Sequence, residues 1–422
     1  MLDTGVTAWM LVSASLVLLM TPGLAFFYGG MVRGKSVLNM MMLSFGAMAV
    51  VGVIYPLWGW SMSYGESVGG FFGNPLDQFG LGGSFDPVAY LDDAETVFMP
   101  TIVDVGFQAT FAIITVALIS GSIAERVKFS AWLLFTALWV TLSYFPLAHM
   151  VWGGGLLSDA GPFASIAEPI DFAGGTVVHI NAGVAGLVLA LVVGARKGFG
   201  KEPIRPHNLP FVMLGAALLW FGWFGFNAGS AYGADEGAGL AWVNTTTATA
   251  AAILGWLLTE RIRDGKATSL GAASGIVAGL VAITPAAGDV TPLGALLVGA
   301  VAGVLSALAV GLKYKLGYDD SLDVVGVHLV AGLWGTLSLG LVATDGRGLL
   351  AGGGFDQLAV QAIIAVVAIV ISAVVTAVLG FLVKAVIGWR VSPEAEERSI
   401  DLAEHGEAAY ETIGARVLSE VK

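Results

Sequence analysis

Residues Asp171–Gly186 read DFAGGTVVHINAGVAG, and a second stretch from His328 reads HLVAGLWG. Each contains His-x-x-Ala-Gly, at His179 and at His328. Both imidazoles stand near the start of an apolar run. An ionisable side chain inside a membrane segment is costly, so such groups face a cavity, a partner or a pathway. Function is therefore expected between these two histidines.

Working outward, the composition supports a membrane setting. Of 422 residues, 56% are hydrophobic and 12% charged, against about 25% charged in soluble domains. This predicts an all-α polytopic membrane protein in the cell membrane. The 59 glycines suit close helix packing in lipid. Cysteine is absent, which removes disulfides, thiolate metal sites and cysteine nucleophiles. A net charge of −12 argues against a nucleic-acid binder. The first apolar run lacks a basic leader and is long for a signal peptide, so it is read as a retained helix.

A span needs about 20 mostly apolar residues. Eleven runs qualify, at about 7–28, 37–62, 101–121, 130–151, 174–195, 209–229, 240–260, 268–286, 291–312, 324–343 and 357–388. Alternate loops are basic: Arg33 and Lys35; Arg126 and Lys128; Arg196, Lys197, Lys201 and Arg205; Arg261, Arg263 and Lys266; Lys313 and Lys315. The others are acidic, with Glu66, Asp77, Asp86, Asp92, Asp93 and Glu95; Asp159 and Glu168; Asp235 and Glu236; Asp289; Asp345 and Asp356, and Arg347 as their one base. Basic loops stay in the cytoplasm. The N-terminus is thus placed outside and the C-terminus inside. Residues 1–388 are taken as the transmembrane domain and 389–422 as a hydrophilic tail, in which Ser392-Pro393-Glu394 can start a helix although its charge also suits a solvated end. The long loop 63–100 is expected to form an external cap.

Five spans fall in 7–195 and five in 209–343, so the halves run with opposite polarity and place the two motifs on equivalent helices. That is the pattern of an inverted repeat with a site at the repeat interface; the long eleventh helix stands outside it. A buried imidazole favours its neutral form, which offers one donor and one acceptor. Two such rings can guide a small polar solute or relay a proton. They suit a bare permanent ion poorly, because no ring of carbonyls or carboxylates replaces its hydration shell.

Other residues fit around that pair. Asp171 is expected to cap the helix that follows it, with a second role in attracting cations; Asp320 and Asp323 precede His328 in the same way. His207 and His405 are read as solvated, and His149 as lining the external mouth. Phe107 and Phe111 lie four apart on one helical face, and Phe226 lies deep in the sixth span. Trp152 and Ser230 end the fourth and sixth spans on the outer side. Aromatic faces attract cations, so an aromatic cage with one hydroxyl would select a small cation, and phenylalanines below it would exclude water.

These residues, with TPGLAFFYGG at Thr21–Gly30 and FQATFAIITVALISGSIAER, AHMVWGGGLL, WFGFNAGS and DVVGVHLVAG in order, resemble the ammonium transporter family (Amt/Mep/Rh), on its bacterial Amt side, over nearly the whole chain. The resemblance implies an eleven-helix homotrimer with one pore per subunit, no cofactor or metal, and no enzymatic activity. It assigns Phe107, Trp152 and Ser230 to external ammonium recruitment, with Asp171 in support. Phe111 and Phe226 become a phenyl gate, His179 and His328 a twin-histidine pair, and Trp223 a pore-lining residue. It further implies that ammonium is deprotonated and ammonia conducted, with methylammonium as a possible substrate. The tail would pack under a neighbouring subunit, and a PII-type protein would dock on the cytoplasmic face. Ala403 stands where plant relatives carry a phosphorylatable threonine, so that switch is not expected. Rival readings are an ammonium receptor that transports little, an Rh-type gas channel, and an intramembrane bis-histidine haem protein.

Overall fold

The computed structural model describes residues 2–82, 87–91 and 96–410. Asp86, Asp92, Asp93 and Glu95, assigned above to the outer loop, lie outside the described residues, as does the tail beyond residue 410.

Among the described residues, ten helices of 18 to 31 residues are long and apolar enough to cross a membrane. They are Thr4–Met31 (span 1), Val37–Tyr64 (span 2), Thr101–Ile123 (span 3), Phe129–Trp152 (span 4), Gly175–Val193 (span 5), Leu209–Ala228 (span 6), Ser269–Ala286 (span 8), Pro292–Leu316 (span 9), Val325–Val342 (span 10) and Asp356–Val386 (span 11). Span 7 is Glu236–Asp264, 29 residues with a more polar composition. At about 1.5 Å rise per residue it is still long enough to cross. Its polar residues point inward: Asn244, Thr245 and Thr249 are fully buried, and Asn244 Nδ2 donates to the carbonyls of Ala287 and Val290 at 2.9 and 2.7 Å. Span 7 also runs past the expected 240–260 at both ends. Asp235 caps its start by accepting from the Ala238 amide at 3.0 Å, and its far end is charged, where hydropathy stops being a guide.

Loops expected on one side of the membrane meet at one end of the bundle. Arg33 and Arg196 both bind Glu125, at 2.8 Å each, and Arg196 also binds Asp319 at 2.8 Å. Fully buried Arg126 donates to the Asp319 carbonyl at 2.7 Å. At the other end, Arg347 pairs with Asp289 at 2.8 Å, and the loop after span 2 forms two short hairpins, Ser67–Val68 with Phe72–Gly73 and Pro87–Leu91 with Thr96–Pro100.

The tail departs from the solvated reading. Ser392 does cap the helix Pro393–Glu397, accepting from the Ala395 amide. Glu396 is buried and joins Arg390, at 2.6 Å, to the Lys197 amide, at 2.7 Å. Asp401 accepts from the amides of Leu38 and Asn39 at 3.1 and 2.8 Å, so it caps span 2 from 362 residues away. Through residue 410 the tail therefore docks on the loops of its own chain.

Candidate functional site

Both histidines sit where a helix is locally widened. His179 lies in the π-helical segment Gly175–Ile180, and His328 in Val325–Leu329. Such one-turn departures recur at functional sites. An aspartate fixes the start of each. Asp171 Oδ1 accepts from the amides of Gly174 and Gly175 at 2.9 and 2.5 Å; Oδ2 accepts from the Thr176 amide at 2.8 Å and from its hydroxyl. Asp320 accepts from the amides of Val324 and Val325 at 3.1 and 2.7 Å. Each aspartate precedes its histidine by eight residues. The capping expected of Asp171 is thus present, on the amides of Gly174, Gly175 and Thr176.

The glycine of each motif then brings the halves together. A Cβ on Gly183 would stand 2.5 Å from the Leu329 amide nitrogen, and one on Gly332 would stand 2.9 Å from the His179 Cβ. Only hydrogen fits at either place. With that approach, His179 Nδ1 and His328 Nδ1 come to 3.4 Å, their rings 5.5 Å apart and nearly parallel. One Nδ1 must carry a hydrogen and the other accept it, since two donors or two acceptors at this distance would repel. The contact leaves no space between the rings for a haem, which removes the bis-histidine reading. Trp223 stacks on His179 at 5.5 Å and donates to the Thr284 hydroxyl at 2.9 Å. Around the two rings lies a narrow apolar lumen, with room for the centre of about one water-sized molecule (≈ 10 Å³). His179 Nε2 has no hydrogen-bond partner among the described residues.

On the outer side the lumen ends at Phe111 and Phe226, stacked at 4.0 Å with 20° between ring planes. Phe226 also lies 6.2 Å from the His179 ring. Beyond Phe111 opens a vestibule of ≈ 480 Å³ lined in part by Trp152, Ser230 and Asp171. Trp152 stands edge-on to Phe111 and donates to the Asp171 carbonyl at 2.9 Å. Ser230 donates to the Phe226 carbonyl at 2.8 Å, which leaves its oxygen lone pairs to accept. Phe107 is fully buried behind this wall, 4.8 Å from Phe111 and 5.7 Å from Tyr232.

Among the polar lining residues, the sequence reading gave no site role to Tyr64, Asp104, Gln108, Asp159, Glu168 or Tyr232. Asp104 and Gln108 share the helical face of Phe111, at positions i, i+4 and i+7; that spacing was available as a signal. Three histidines were also misplaced. His149 is fully buried, with Nδ1 3.1 Å from the Ser63 carbonyl and Nε2 2.8 Å from the Ser67 hydroxyl. It anchors the outer loop and does not line the mouth. His207 meets the Val32 carbonyl and the Tyr410 hydroxyl at 2.8 and 2.9 Å, and His405 meets Asn39 at 3.2 Å. Neither is a solvated bystander: both help to seat the tail.

A helical bundle with a closed apolar lumen beneath a vestibule at one end is the architecture of a membrane transport protein. Comparison with known proteins makes the class specific. Residues 8–410 match the model of the Ammonium Transporter Family. A Mycobacterium tuberculosis protein named Ammonium transporter is 63% identical over 353 residues, covering 81% of this chain and 74% of its own. An Aquifex aeolicus protein of the same name is 53% identical over 344 residues, covering 81% and 78%. Among solved structures, a Sensor Amt Protein superposes with TM-score 0.86 at 30% identity, over 95% of this chain and 98% of its own. Saccharomyces cerevisiae Mep2 superposes with TM-score 0.81 at 32% identity, over 93% and 91%. The chain belongs to the Ammonium Transporter Family and is a multi-pass membrane protein.

Proposed function

We propose that this protein takes up ammonium by recruiting the cation outside, removing its proton and conducting ammonia past His179 and His328. The observation that carries the reading is the 3.4 Å contact between those two rings in an apolar lumen. In the vestibule, Trp152 offers a ring to the cation and Ser230 a lone pair. Inward of the Phe111 and Phe226 stack a full charge would lie in hydrocarbon, which costs several kcal/mol or more. Ammonia avoids that cost: it carries no charge and can exchange hydrogen bonds with the imidazole edges. Potassium has no proton to lose and stays outside. Residues 1–388 are the transport domain in this proposal, and 389–422 the regulatory tail. A homotrimer and a PII-type partner at the cytoplasmic face belong to the same proposal.

The test is made on purified protein in liposomes on a solid-supported membrane. Pulses of ammonium and then potassium are applied to the parent and to the His179→Ala, His328→Ala double variant. A current with ammonium alone in the parent, and a potassium current appearing in the variant, is the expected result. No current but an alkalinised interior would mean neutral ammonia flux, the Rh-type alternative. Silence in both assays would reject transport and favour a receptor, the reading that the likeness to a Sensor Amt Protein keeps in view.

A further inference from the structure

The vestibule is bordered by three carboxylates besides Asp171: Asp159 and Glu168, which are exposed and screened by solvent, and Asp104, which is buried. Asp104 lies in the first turn of span 3, is only 8% exposed, and borders the same cavity as Trp152, Phe111 and Ser230. The Tyr232 hydroxyl donates to Asp104 Oδ1 at 2.8 Å and accepts from Gln108 Nε2 at 2.6 Å. Tyr232 adopts φ +57°, a left-handed conformation that a residue with a Cβ enters at some cost. Its two side-chain hydrogen bonds and its edge contact with Phe107 offset that cost and hold the ring two residues beyond Ser230. The element that supplies the recruiting hydroxyl is thereby tied to the helix that supplies Phe111.

Asp171 is poorly placed to supply the vestibule's negative field by itself. An ionised carboxylate has about four lone-pair sites, and both Asp171 oxygens are engaged by the amides and hydroxyl that begin span 5. Its charge is directed into the helix start. Asp104 borders the same cavity from span 3, the helix that also carries Gln108 and Phe111.

We propose that Asp104, positioned by Tyr232 and Gln108, sets the affinity of the vestibule for its cation. The ligand class is a small monovalent cation bearing N–H groups, such as ammonium or methylammonium. This inference rests on the recruitment reading above and adds to it the residue that supplies the field. A carboxylate in a first helical turn also stabilises the helix through its dipole. That structural role would alter thermal stability and leave affinity and its salt dependence unchanged.

The experiment is an ammonium titration of initial current in proteoliposomes at low and high ionic strength. It compares the parent chain with Asp104→Asn and Tyr232→Phe. A unit charge about 8 Å from the cation, at an effective dielectric constant of about 20 to 80, changes binding roughly two- to thirtyfold. Asp104→Asn is expected to raise the half-saturating concentration within that range, with saturating current within about twofold of the parent. Half-saturation in the parent is expected to rise with salt, and in Asp104→Asn to respond less. Tyr232→Phe is expected to lie between them, because the charge stays while its hold on the ring is lost. An unchanged half-saturation in Asp104→Asn at low salt would overturn the proposal, as would a fall in saturating current alone. A parent protein silent to ammonium would overturn the transport reading itself, a separate failure.

Discussion

Gly183→Ala tests how the two histidines are brought into contact. The new methyl would stand 2.5 Å from the Leu329 amide nitrogen and 2.7 Å from its Cα. Ordinary carbon contacts are about 3.5 Å or more, so the deficit approaches about 1 Å. Leu329 meets the methyl with backbone, and no rotamer change relieves the clash. Span 10 has to move away from span 5, carrying His328, which neighbours Leu329. A shift of even half that deficit takes the Nδ1 pair from 3.4 Å to about 4 Å, outside hydrogen-bond range. Overpacking of this kind costs about 1–3 kcal/mol. Expressed wholly in the transport barrier, that is roughly a five- to 150-fold loss of flux. The assay is the ammonium-evoked current in proteoliposomes, beside thermal unfolding in detergent. Gly106→Ala is the control, because its Cβ would meet nothing within 4 Å. It should keep full current and gain slightly in helix stability. A Gly183→Ala protein with parental current and parental exclusion of potassium would refute the claim that this close approach sets the histidine pair.

Trp152→Leu removes an aromatic face from the vestibule; at about 1–2 kcal/mol for a partly desolvated cation–π contact, half-saturation should rise about five- to thirtyfold in the same current assay. Asp401→Ala removes the cap of span 2, worth about 0.5–2 kcal/mol, and should speed tryptic cleavage after Arg398 by about tenfold while the spans stay protected. Acid should loosen the cytoplasmic lattice in a defined window. Burial is the largest single influence on the Glu125 and Asp319 carboxyls and would raise both, but it is outweighed by the arginines together, Arg196 with Arg33 at Glu125 and Arg196 with Arg126 at Asp319, so both are held below the ordinary carboxylate range. A depressed carboxyl contributes fully above its unfolded value, about 4, and that contribution fades as pH falls through the lower folded value. The detergent unfolding midpoint should therefore be flat from pH 8 to about 5 and decline below 4, with the decline blunted in Arg196→Gln.

Much of this protein was written in its sequence. Eleven apolar runs, alternating loop charge and two His-x-x-Ala-Gly motifs in opposite halves defined a polytopic helical bundle, because lipid forces backbone bonds inside each span and loop charge fixes direction. The aspartate eight residues before each histidine was legible too, as the cap a helix needs when it begins inside the protein. Only tertiary structure decided which side chains touch. Phe111 and Phe226 come from spans 3 and 6, and Asp104 and Tyr232 from span 3 and the loop after span 6; helical periodicity gives a residue its face but not its partner. His149, His207 and His405 were misread for the same reason, since a polar ring near a span end can meet water or a distant carbonyl with no change in local pattern. The 3.4 Å histidine contact is decided last, by the packing of Gly183 and Gly332 against the opposite helix: the motif names the small residue, and the crossing of two locally widened helices gives it its meaning.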